Sequence, residues 1–208
     1  MENTNENKEM TARESLSLIT ETLNNSRKEI TRRSGKYFLF WGTLLTFFSF
    51  LIYLLWKLTG NGMWNLLWFA MPAIGVPLEW LSRRKNPSER VQNDVSRING
   101  GIWATFGIFA CALSLFTVIY AEVGSGVVGP LTAAFSLTAG IAMLFGLAES
   151  ITGVVLKNWT IKIGGFVTGI GGMAIYYITA AQAEQLLIFA FAGLVLVITG
   201  LIVKYQYR

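Results

Sequence analysis

The sequence predicts an all-α membrane protein: a six-helix transmembrane bundle, N-in and C-in, with an N-terminal cytoplasmic amphipathic helix. Three observations carry this. Of 208 residues, 53% are hydrophobic and 14% charged, against roughly 25% charged in an ordinary soluble domain. The stretch Tyr37–Trp56, YFLFWGTLLTFFSFLIYLLW, carries no charge, and as a helix it would be about 30 Å long, the thickness of a bilayer's hydrocarbon core. When the chain is threaded through six spans from a cytoplasmic N-terminus, sixteen of its 17 Lys and Arg fall on the cytoplasmic side and only Lys57 outside, a bias that sets orientation.

The elements follow in order. Residues 1–10 are polar and read as disordered. Thr11-Ala-Arg-Glu14 has the spacing of a capping box, in which hydroxyl and carboxylate each satisfy a free backbone N–H. From Thr11 to about Arg33, Leu16, Ile19, Leu23 and Ile30 recur at helical spacing, a narrow apolar seam suited to a coiled-coil contact or to the bilayer surface. Arg27, Lys28, Arg32, Arg33 and Lys36 crowd the last turns of that helix, where cations both obey the positive-inside rule and attract anionic lipid. Glu2, Glu6 and Glu9 stand where the basic region of a secretory leader would be, so the first span is expected to remain as an anchor.

Span 1 is Tyr37–Trp56, and Gly60-Asn61-Gly62 turns the chain back. Span 2, Met63–Leu81, contains Pro72 and Pro77; each removes a backbone donor and crowds the preceding turn, so a kinked helix is expected. A basic linker, Ser82–Gly100, leads to span 3, Ile102–Ala121, and a Gly-rich turn, Gly124–Pro130, to span 4, Leu131–Leu147. Spans 5 and 6 are Ile163–Ala181 and Leu186–Val203. Trp56 and Trp64 fall at the outer interface and Trp80, Trp103 and Trp159 at the inner one, as amphipathic indoles prefer. The domains are then a cytoplasmic segment, 1–35, a membrane domain, 36–204, and a short tail, 205–208.

Span 5 reads IGGFVTGIGG, with Gly165 and Gly169 in GxxxG register and Gly164 and Gly172 beside them. In lipid no hydrophobic drive brings helices together, so bare glycine faces that let backbones approach are a packing signal. Gly42 and Ser49 of span 1 share their spacing with Gly107 and Ser114 of span 3, the outline of a hairpin repeat.

Little chemistry is on offer. The absence of histidine removes imidazole metal sites, Ser-His-Asp triads and His relays. Cys111 is a lone cysteine and cannot form an intrachain disulfide. With the spans bounded as above, no Asp, Glu, Lys or Arg falls in the middle third of any, which speaks against an ion-coupled pump. Glu79 and Glu149 are the candidate acids, both expected near the cytoplasmic interface and without motif spacing between them. Hydroxyls such as Thr46, Ser49, Ser114, Ser136 and Thr168 are expected to bond to their own helix or a neighbour.

The passages RESLSLITETL, KYFLFWG, NLLWFAMPAIG and TGVVLKNWTIKIGGF resemble a group of small uncharacterised bacterial polytopic membrane proteins. The resemblance spans nearly the whole chain and implies the bacterial cytoplasmic membrane; it carries no activity over. The expectation is a non-enzymatic membrane protein, with no cofactor, catalytic group or metal site, that acts by association. The Thr11–Arg33 helix would meet a cytoplasmic protein partner, a second copy of the chain in a homo-oligomer, or anionic membrane lipid. The alternative is a carrier or channel for a small neutral or apolar solute, lined by spans 2 and 5. The net charge of +5 lies on the cytoplasmic face and reads as topology, not as nucleic-acid binding.

Overall fold

Where the sequence predicts an amphipathic helix followed by a span, a single helix, α1, runs unbroken from Ala12 to Thr59, about 72 Å at the α-helical rise. The computed structural model describes residues 12–85, 94–123, 137–178 and 183–207. The remaining helices are α2, Ala70–Lys85; α3, Asp94–Val123; α4, Leu137–Val155; α5, Trp159–Ile178; and α6, Leu186–Gln206, with 3-10 segments at Gly62–Phe69 and Ala183–Gln185. The described residues contain no strand. Three helical stretches among them, Arg13–Thr59, Leu137–Val155 and Ala183–Gln206, are long and apolar enough to cross a membrane. Residues 1–10, Thr11 of the capping box, residues 86–93 of the basic linker, the Gly124–Pro130 turn, Ser136 and the start of span 4 lie outside the described residues.

Gly60 ends α1 as its local chemistry predicts. It takes φ +67°, open to glycine at no steric cost, and donates its N–H to the Trp56 carbonyl at 2.8 Å, the left-handed helix stop. Asn61 Oδ1 then accepts the N–H of Met63 at 2.9 Å, which starts the return. Span 2 departs from the expected single kinked helix: Gly62–Phe69 is wound as a 3-10 helix and only Ala70–Lys85 as an α-helix. Pro72 occupies the third position of α2, in the first turn, where no intrahelical donor is needed. Pro77 lies inside the helix.

Two antiparallel pairs build the bundle. In the first, α1 and α6 meet glycine to glycine: Gly42 lies against the Gly193 carbonyl, where an added Cβ would stand at 2.8 Å, and Gly200 lies against the Gly35 carbonyl, again 2.8 Å. Residue numbers rise along one helix as they fall along the other, with glycines seven residues apart on each. In the second pair, α4 and α5 form a tight hairpin in which Gly146 faces the backbone of Gly165 and Gly169, Gly165 faces Ser150, and Gly153 faces Lys162. Lys157 takes φ +53° in the corner between them. Asn158 donates its N–H to Gly153 O at 2.9 Å, and its Oδ1 accepts the N–H of Ile161 at 3.0 Å, capping α5.

The sequence leaves two courses open for the stretch after Leu147, a longer span 4 or a segment along the interface; α4 continues to Val155, with Gly146, Ser150 and Gly153 keeping α5 against it through these extra turns. At this end of the molecule Ile30, Val95, Leu156, Ile161 and Val203 form one buried cluster. Gln206 ties α6 to the corner, donating to Thr160 Oγ1 at 3.0 Å and accepting from Asn158 at 3.4 Å. Rings of α1, α3 and α4 join edge to face through Phe38, Trp103, Phe106 and Phe145, with centroids 5.4 to 6.2 Å apart. The outward faces are apolar: on α5 alone Ile163, Phe166 and Ile170 are exposed while Gly164, Gly165, Thr168 and Gly169 are buried. That pattern is inverted for water and suited to lipid.

Candidate functional site

The first candidate is the part of α1 that leaves the bundle. The helix reaches the level of Gly35 with α6 beside it, where Gly35 packs on the Gly200 and Lys204 backbone, and α6 ends at Gln206. Residues Arg13–Lys28 therefore project about 24 Å beyond their partner. On this arm Leu16, Ile19 and Leu23 are 64%, 56% and 43% exposed. Ile30, the last residue of the same stripe, is 7% exposed in the core cluster, so its partner is the bundle and it drops out of the contact surface.

The stripe is not an unused continuation of the α1–α6 seam. That seam recurs every seven residues at Thr31, Phe38, Leu45 and Ile52, all buried, and running it backwards reaches Asn24 and Ser17, which are polar. At 100° per residue, Leu16, Ile19 and Leu23 stand roughly a third of a turn away from that line. They form a second face with its own direction.

The basic residues divide as well. Glu29 accepts from Arg32 Nε and Nη2 at 3.0 and 2.9 Å and from Arg33 Nε at 2.8 Å. Eight residues ahead of the apolar run, its carboxyl is held below the ordinary carboxylate range, chiefly by the Arg32 hydrogen bond, which outweighs the opposing effect of burial and is reinforced by Arg33. Two of the five cations are thus engaged within the helix, whereas Lys28 is exposed.

The second candidate is Glu149, the thirteenth residue of α4, which is 0% exposed inside the bundle. Thr168 Oγ1 on α5 donates to its Oε2 at 3.1 Å. Its Oε1 stands 2.6 Å from where a Cβ of Gly164 would be, with Thr199 Oγ1 of α6 crowding the same point. Among the described residues neither Glu149 Oε1 nor the buried Thr152 Oγ1 has a hydrogen-bond partner. Thr46, Ser49 and Ser114 each donate instead to the carbonyl four residues back in their own helix.

Glu79 has a different neighbour, accepting from Trp41 Nε1 at 2.9 Å, so the two acids are held by different helices and do not form a pair. Glycines 164, 165 and 172 sit where α5 meets its neighbours: Gly164 under Glu149 and Thr199, Gly165 under Ser150, Gly172 against Ala142 and Ile188. Gly169 meets Gly146 and Met143 at ordinary van der Waals distance.

A signal for the carboxylate was present in the sequence. Gly146, Glu149, Ser150 and Gly153 are spaced i, i+3, i+4, i+7, one helical face of small residues with the acid among them. No protein-family profile matches this chain, nor does any curated protein or solved structure.

Proposed function

We propose that this is a six-span protein of the bacterial cytoplasmic membrane, with both termini inside, that works without catalysis by docking another helix onto the arm of α1. The observation that carries this reading is the unbroken course of α1 through Arg27–Lys36. A helix lying on the bilayer surface has to turn through about a right angle where it leaves its span. Gentle helix curvature, with a radius of about 60–100 Å, bends a 24 Å arm by only about 15–25°. The arm therefore stands off the membrane, and Leu16, Ile19 and Leu23 face a protein partner in preference to lipid.

The spacing i, i+3, i+7 is that of one coiled-coil edge, and the partner it fits is another amphipathic helix: a second copy of this chain or a cytoplasmic protein. So short a helix would be marginal alone, but here it is nucleated by the span it continues. The antiparallel α1–α6 pair supports an arrangement in which both termini share a side. The test is copurification from native membranes of two differently tagged full-length copies, with and without the double change Leu16→Glu and Leu23→Glu, alongside reporters on both termini. Association lost with the arm changes while both reporters stay cytoplasmic is the expected result. Association or partner recovery indifferent to the arm, or termini on opposite faces, would overturn the proposal.

A further inference from the structure

The carboxylate in α4 carries an inference independent of the arm. Glu149 lies two helical turns from the end of α4, about 9 Å from Val155, and is sealed between α4, α5 and α6. Among the described residues no ionisable group forms an ion pair with it. On α4 it is the sole ionisable residue. On α5 the charge nearest in sequence is Lys162, whose ammonium rests over the Trp159 ring at 4.4 Å; Tyr176 and Tyr177 stand at the far end. On α6 they are Lys204 and Tyr205, past Thr199. On α3, Asp94 and Arg97 pair with each other at 3.2 Å, and Cys111, Tyr120 and Glu122 complete its set.

The polar groups around the acid are hydroxyls: Thr168, which donates to Oε2, Thr199 against Oε1, and Thr152 one turn on, itself unpartnered among the described residues. A lone carboxylate in a lipid-embedded bundle needs a positive partner. Oε1 and Thr199 Oγ1 both occupy the space that a side chain at position 164 would need. An alkali ion needs a shell of several oxygens, more than the two carboxylate oxygens and the hydroxyls of Thr168 and Thr199 that meet here. A proton needs one acceptor, and Thr199 Oγ1 shares the space beside Gly164 with the oxygen that lacks a partner.

We propose that Glu149, with the hydroxyls of Thr199 and Thr168, is an intramembrane proton-binding site that exchanges with the cytoplasmic side through the α4–α5 corner. Proton uptake turns Oε1 from an orphan acceptor into a donor to Thr199 and leaves Thr168 donating to Oε2, so the three helices are bridged through a single group. Loss of the proton leaves a bare negative charge against the Gly164 backbone and favours opening of α5 from α4 and α6. The glycine is part of the site, because any side chain at position 164 would displace both oxygens.

The test is infrared spectroscopy of the full-length protein in liposomes, titrated with pH at fixed sodium and potassium and repeated in heavy water. Expected is a protonated-carboxyl carbonyl band that disappears in Glu149→Gln, shifts in frequency in Thr199→Val and Thr168→Val, moves on deuteration, and is lost as pH rises. Glu149→Gln keeps the shape of the side chain, and Thr199→Val probes the same oxygen with the acid intact, so a folding failure of one leaves the other to decide. A band that persists at every pH without exchanging would make Glu149 a fixed structural acid and overturn the proposal. So would a band that responds to sodium or potassium at constant pH, or the absence of any Glu149-dependent band.

Discussion

From Ile30 to Ile52, α1 turns Ile30, Thr31, Phe38, Gly42, Leu45, Ser49 and Ile52 into the bundle, while from Arg13 to Lys28 the same helix leaves Leu16, Ile19 and Leu23 uncovered. The inner half is held by closeness: Gly35 and Gly42 bring two backbones together, and Thr46 and Ser49 return their hydroxyls to their own carbonyls. The outer half has no such seam, since its continuation is polar and α6 has ended. The contrast teaches that one helix can be stabilised by packing along part of its length and present side chains along the rest. A substitution in either half should therefore affect a different property.

The largest effect is expected in the inner half. Gly42→Leu places a branched side chain where even a Cβ would stand 2.8 Å from the Gly193 carbonyl, and overpacking of this kind costs about 3 kcal/mol. Thermal unfolding in detergent should show a strongly lowered midpoint. An unchanged midpoint would mean that α1 and α6 are not packed this closely.

Next comes Leu23→Glu in the outer half, which should weaken association by at least tenfold, about 1.4 kcal/mol, and leave the unfolding midpoint where it was. Counting subunits by stepwise photobleaching in liposomes reads the first quantity. If stability falls instead, the arm is folded onto the bundle and the contrast fails.

A smaller effect is expected at the junction of the halves. Because the Glu29 carboxyl is held below its ordinary value of 4.5, its pairs with Arg32 and Arg33 contribute stability that is complete above that value and lost as pH falls through the lowered one. The amount is about 0.5 kcal/mol, as for other helix-surface pairs. Hydrogen exchange over residues 27–34 should accelerate on acidification, and Glu29→Gln should abolish that pH dependence. Smallest of all is the bridge from Lys57 to Glu184, 3.1 Å at the opposite end. Salt screens such exposed pairs, so Lys57→Ala should leave the midpoint unmoved.

Much of the helical plan was legible, because apolar runs, Gly60 and the small-residue spacing are local signals. Gly60 stops α1 by its own backbone, and α6 spans Leu186–Gln206 against an expectation of Leu186–Val203. What was not legible depended on partners distant in sequence. That the amphipathic helix and span 1 are one continuous α1 follows in part from Gly35, a poor helix former, being buried against the Gly200 and Lys204 backbone of α6. Gly42 and Gly107 share a spacing pattern, yet Gly42 meets Gly193 while Gly107 has nothing within 4 Å among the described residues. The spacing around Glu149 does not show that its carboxylate is enclosed by three helices. Its burial follows from Gly164 and Thr199, residues that no window around position 149 contains.

The most direct test of the arm is its cross-linking pattern in intact membranes. With Cys111 changed to Ser, single cysteines would be placed along residues 14–25 of the full-length protein and oxidised. Docking of a second helix on the second face predicts inter-chain or partner cross-links that peak at positions 16, 19 and 23 and fall away at 17, 21 and 24. Uniform labelling with no cross-link at any position, or protection of the stripe by lipid probes alone, would contradict it.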